Sequence, residues 1–495
     1  MNHWLFLRFI LNRFSALILT ARLQMRLTMV LSTMALLVLP KIGHAHAFDE
    51  RYDLPIPLSF FIWGAVLTVA FTYLLSILFF RESGSSQSCI AEPKNSQRFL
   101  FSISPRQQSL IKLVAVFGLG LLIALAFFGP DNPLMNITPH FVWVNWWIGI
   151  PLLFALFGSV VHFIDPFAAI GSLQKKRSSP YVEWPVAKAL ERLGRWPAVV
   201  GLLCWCWIEV VYPNAALPHH LGVLAIIWLM SGFLGRSILG KQDWNEGWDF
   251  FGIYFANFGL ISPFCFFAGS LYIGMPFIRL IERPKLIRGS VAFIVAMLST
   301  VLFDGLHSSP VWLSFQQLFQ GKFDVNGYFL GFLGLTLVWG GFYFIFLGGC
   351  LLIPRNEDSK SKNIFLDAFY IAEIFAPTLI PIALAYHVAH NFSSLVIQGQ
   401  NIIALASDPL GMGWNLFGTA NFYPNITVLD AKTVWYMALS AIVIGHVVSI
   451  YLAHLVALRE FKTAALASRA ALPLTLLMIG FTAISLLILA QPLTN

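Results

Sequence analysis

His387 and His390 in AYHVAHN stand three positions apart, a spacing that could support chemistry. On a helix an i, i+3 pair lies along one side. With a carboxylate from a neighbouring helix it would supply three donors for a borderline divalent metal, zinc or copper, and leave a position for water. Asp304 in TVLFDGLHSSP is the expected carboxylate, with His307 or His446 as a further donor. The plainer alternative bonds both histidines to backbone carbonyls near a membrane surface. No HExxH pattern decides between them. Two acids, Glu209 in CWCWIEVVYP and Glu373 in AFYIAEIFAP, sit in apolar stretches. Each reads as part of a substrate or proton path, or as a neutral buried acid. His162 and Asp165 in VVHFIDPF read first as a helix stop, because Pro166 follows.

Such residues need elements that bring distant segments together, and the composition says which. Of 495 residues, 58% are hydrophobic and 11% are charged. A water-soluble domain carries about a quarter charged residues, so the solvent is largely lipid. The fold class is all-α: a polytopic transmembrane helical bundle of about ten spans plus a re-entrant or interfacial hairpin. The spans are expected near 57–80, 109–128, 140–164, 196–212, 220–238, 289–304, 329–353, 364–392, 433–457 and 471–491, with the hairpin at 249–278. Residues 48–495 then form one integral-membrane domain, and 1–47 are a signal peptide or N-terminal anchor. The apolar run 27–39 follows Arg22 and Arg26 and precedes Ala45 and Ala47, the small residues a signal peptidase favours. Cleavage after Ala45 would expose His46, whose amine and imidazole chelate copper. Cleavage after Ala47 is the simpler reading. The five cysteines form no CxxC, so neither a disulfide framework nor a zinc-thiolate site follows.

The net charge of +8 falls in short basic clusters between apolar stretches. That is the positive-inside pattern rather than a nucleic-acid surface. Basic clusters on both sides of 249–278 oblige that segment to return to the side it left. The helices at 289–304 and 364–392 both run outward, so Asp304, His307, His387 and His390 are expected at the outer side. His446 falls about 20 Å from the outer start of its helix, near mid-membrane. The outer loop DPLGMGWNLFGTANFYPN reads as an interhelical loop or as a lid over an outer cavity.

The segments HAFDERYDLPIPL, TVLFDG, PIALAYHVAHN, SSLVIQGQ, DPLGMGWNLFGTA and IGHVVSIYLAH together resemble a family of bacterial multi-spanning membrane proteins. Some members of that family are named fenitrothion hydrolase, an organophosphate-cleaving activity. The resemblance implies a phosphotriester hydrolase in the bacterial inner membrane, and it carries over no site residues. With the topology it predicts a periplasm-facing site in which Asp304, His387 and His390 hold a divalent metal that activates water. The expected partners are the lipid bilayer and a lipid-soluble small molecule or metal ion, with no nucleic acid. Two other classes fit the same residues: a transporter or copper-type metal-handling protein, and a scaffold whose polar groups only fix helix packing.

Overall fold

A long apolar run in hydrocarbon must satisfy its own backbone groups, and a helix does so within one segment. The computed structural model describes residues 45–47, 50–52, 56–79, 98–158, 190–267, 269–282, 287–354, 364–461 and 463–491. In chain order its helices begin with α1 (Leu58–Phe79), α2 (Pro105–Phe128), α3 (Ile137–Phe157), α4 (Trp196–Val210) and α5 (Pro218–Leu239). There follow α6 (Lys241–Gly247), α7 (Phe250–Gly259), α8 (Ile278–Ile281), α9 (Ser290–His307) and α10 (Pro310–Phe323). The last are α11 (Gly327–Leu351), α12 (Phe365–Ser407), α13 (Ala431–Glu460) and α14 (Ala464–Leu489). Among the described residues, nine of these are long and apolar enough to cross a membrane, and the apolar α4 is shorter at 15 residues. The chain is an all-α, multi-pass bundle.

Helix ends follow local chemistry. Ser104 and Gln107 form a capping box at the start of α2, with Pro105 at the first helical position. Asp430 caps α13 through the Thr433 N–H, and Thr463 caps α14. The centre of the bundle is α9, with 72% of its most apolar window buried, whereas α2 buries 11% and is a perimeter helix. Small residues set the closest approaches. A Cβ on Gly445 of α13 would stand 2.4 Å from Ala385 Cβ and 2.9 Å from the Pro381 carbonyl of α12. Gly445→Ala is therefore expected to cost about 1–3 kcal/mol through overpacking. A lower Tm in detergent would register it. Gly340→Ala, where a Cβ would meet nothing within 4 Å, should leave Tm unchanged or raised.

The N-terminal segment expected at 1–47 falls outside the described residues except for Ala45–Ala47. That strand, β1, pairs antiparallel with β2 (Glu50–Tyr52). His162 and Asp165 also lie outside the described residues.

Three further strands are β3 (Arg98–Ser102), β4 (Phe264–Phe267) and β5 (Ser270–Ile273), an antiparallel sheet with β5 in the middle. The return expected at 249–278 is thus built from α7, β4, β5 and α8. Its backbone groups are satisfied locally: the Arg279 guanidinium donates to the carbonyls of Gly259, Ser262 and Phe264. Gly158, at the end of α3 with φ of 66°, lies where a Cβ would come within 2.1 Å of the Phe264 carbonyl oxygen, so only glycine fits. β3 falls in the loop between the spans expected at 57–80 and 109–128. Phe99 packs edge-on against Tyr272 of β5, ring centres 5.9 Å apart, and that contact is invisible from the loop's own composition.

Candidate acid–base site

Asp304 lies in the last turn of α9, and α12 packs beside it. His390 of α12 donates from Nε2 to Asp304 Oδ2 at 2.7 Å. The two side chains keep 31% and 27% of their surface accessible, so the pair lines an accessible wall of the bundle. A carboxylate bonded to one imidazole nitrogen fixes the tautomer and the ring orientation. The other nitrogen, Nδ1, then carries the lone pair, and no described residue bonds to it. That arrangement can accept a proton.

Glu209, in the last turn of α4, supplies a second carboxylate. Its Oε1 accepts a hydrogen bond from Trp147 Nε1 at 2.9 Å, and it lies within electrostatic reach of both Asp304 and His390. Trp147 belongs to a π-helical stretch of α3, His140–Ile148. Prolines bracket that stretch, and Pro151 has no N–H to return to the Trp147 carbonyl, so the regular α ladder is interrupted there. π-turns of this kind are frequent at functional sites. The Trp147 ring stacks on Tyr254 of α7, centroids 4.9 Å apart and planes 24° apart. Four helices, α3, α4, α9 and α12, therefore bring ionisable or hydrogen-bonding groups to one end of the bundle.

His387 does not join the pair. Its Nε2 donates to the Ile148 carbonyl at 3.0 Å, and Nδ1 then accepts from the Tyr254 hydroxyl at 3.5 Å. It is 1% exposed. Both nitrogens are committed to tying α12 to α3 and α7. Three residues of helix turn the direction by 300° and rise about 4.5 Å, so the two imidazoles diverge by about 60°, enough to address different neighbours. The expected metal triad of Asp304, His387 and His390 is not assembled. Among the described residues no group of three His, Cys, Asp or Glu side chains is placed to hold a metal ion. Only two of the expected donors meet, a set that does not fit a three-ligand zinc or copper centre.

The remaining candidates separate. The His307 ring packs against Phe303 and Trp312, each 5.6 Å away, one turn beyond Asp304 and within its electrostatic reach. His446 is fully buried, donates from Nδ1 to the Ile442 carbonyl at 2.8 Å, and lies with its ring 5.9 Å from Tyr386, in the contact between α12 and α13. Glu373 occupies an exposed face of α12, about 25 Å of helical rise before His390. Sequence reasoning missed Trp147 and Tyr254. FVWVNWW reads as an interfacial aromatic belt, and the signal that one indole N–H would seek a partner was the acid in CWCWIEVV.

No protein-family model matches the chain, and neither a curated protein nor a solved structure does.

Proposed function

We propose that the chain is a membrane-embedded hydrolase of lipid-soluble phosphotriesters, with His390 as general base and Asp304 as the carboxylate that orients it. The 2.7 Å bond from Nε2 to Oδ2, with Nδ1 left open on a part-exposed side chain, carries this reading. Water attacks phosphorus while its proton passes to Nδ1. The bond from phosphorus to the aryloxide breaks, and the leaving oxygen recovers the proton from the imidazolium, giving a phosphodiester and a phenol. Asp304 offsets the imidazolium charge during the step. Proton transfer by a positioned group contributes about 10²–10⁴-fold. The resemblance noted above supplies the substrate class, and apolar triesters partition into the solvent this bundle occupies. The positive-inside pattern supports placing the site toward the periplasm. No step here uses a metal.

A second reading draws on Glu209. Three ionisable groups on separate helices, in reach of one another inside an apolar bundle, are also what proton-coupled carriage of a small molecule or metal ion requires. One preparation distinguishes the two. Protein reconstituted in sealed vesicles is expected to release a phenol from a paraoxon-type triester without accumulating solute. Solute or metal uptake under a proton gradient, with no ester cleavage, would replace hydrolysis by transport.

A further inference from the structure

The segment joining α12 to α13 has a polar skeleton and an apolar exterior. Asp408 accepts from the Met412 and Gly413 N–H groups at 2.9 and 2.8 Å, using both carboxylate oxygens. Ser407 Oγ takes the Phe417 N–H at 2.9 Å, and Asn415 Oδ1 takes the Ala420 N–H at 3.0 Å. Gln400 and Asn425 bond reciprocally, side-chain amide to backbone, at 3.0 and 3.3 Å. Gly411, Gly413 and Gly418 adopt positive φ, which lets the chain turn tightly around these bonds. A loop pinned at so many points is a fixed surface rather than a swinging cover.

The groups it presents outward are apolar. Met412, Leu416, Phe417, Tyr423 and Ile426 are all exposed, Phe417 to 71% and Tyr423 to 85%. Residues 409–429 contain no Asp, Glu, Lys or Arg, so nothing in this stretch favours bulk water by charge. Its tip also leads to the perimeter. A Cβ on Gly411 would meet Pro130 Cγ at 2.6 Å, and a Cβ on Gly129 would meet the Pro409 carbonyl at 3.4 Å. The loop therefore rests on the end of α2, the perimeter helix, where Phe128 and Leu134 are 79% and 76% exposed. The apolar surface of the loop continues that of a flank whose neighbour is lipid.

We propose that residues 409–428 form a rigid apolar ledge seated in the headgroup and acyl boundary of the leaflet at this end of the bundle, with bilayer lipid as its occupant. Aromatic side chains such as Trp414 and Tyr423 suit that boundary, because their bodies are apolar and one edge is polar. The proposal stands apart from the hydrolytic reading and needs no activity to test. A benzophenone amino acid is introduced at Phe417, and separately at Tyr423, in the full chain reconstituted in phosphatidylethanolamine and phosphatidylglycerol vesicles. On illumination it inserts into nearby C–H bonds, and water yields no product. Adducts heavier by one phospholipid are expected at both positions, at yields within about threefold of a lipid-facing control at Phe117, while Phe293, fully buried, gives only internal crosslinks. Because these side chains point outward, folding is not at stake; a matching Tm for each labelled chain verifies it. The absence of adduct at both ledge positions, meaning water, would overturn the proposal. So would a crosslinked product of twice the chain mass, meaning a second copy.

Discussion

Asp304→Asn and His390→Gln are each expected to slow cleavage of a paraoxon-type triester about 10²–10⁴-fold in reconstituted protein. The asparagine keeps the shape of the carboxylate but turns an acceptor-only group into one that also donates. It removes the negative charge that offsets the imidazolium. It also allows the other tautomer, with the proton on Nδ1, where the base must be free. Stability should barely move. The asparagine oxygen can still accept the imidazole N–H, and its side chain keeps the carboxylate's volume. Loss of rate with an unchanged Tm is the expected signature. Full turnover in either variant would remove His390 as base.

His387→Ala should show the reverse. Its imidazole is buried and satisfies two groups, the Ile148 carbonyl and the Tyr254 hydroxyl. Removing it strands both and opens a cavity between α3, α7 and α12. An unsatisfied buried polar group costs about 1–3 kcal/mol, and truncation of a large buried side chain adds a packing loss. A total of about 2–5 kcal/mol is expected, read as a clear fall in Tm, while turnover per folded molecule stays within about tenfold. Measuring rate and Tm on both histidine variants therefore separates a residue that acts on substrate from one that fixes helix position. Should His387→Ala lose turnover as fully as His390→Gln at equal folded fraction, the two imidazoles act together and the division drawn here fails.

The spans were legible because lipid imposes a single demand, a long run of apolar residues. Asp304 and His390 were legible because ionisable groups in such runs are costly and few. Their partnership was not fully legible. The HxxH spacing gives the angle between two imidazoles, but not which neighbour stands opposite each, and the answer for His387 is a carbonyl on α3. The π-turn at His140–Ile148 had only the flanking Pro139 and Pro151 to mark it, because a mostly apolar stretch has little periodicity to distinguish one winding from another. β3 was hidden for a different reason: four of its five residues pair with a strand about 170 positions away, and no local pattern announces such a partner. α10 had a readable start in Ser309 and Pro310, an N-cap followed by proline, on a segment too polar to register as a span.

α12 runs from Phe365 to Ser407 as 43 residues of helical winding, with 3-10 turns at Ala376–Leu379 and Gln398–Gln400. At about 1.5 Å per residue that is roughly twice the thickness of the hydrocarbon core. A helix of that length must lean, bend or protrude, and its lean responds to the thickness of the surrounding bilayer. His390 rides on the later part of α12 while Asp304 rides on α9, and the 3-10 turn Ala376–Leu379, with Pro377 inside it, lies between the imidazole and the start of the helix. A thinner or thicker membrane can thus tilt the earlier part of α12 about this turn while the meeting of the two side chains keeps its geometry.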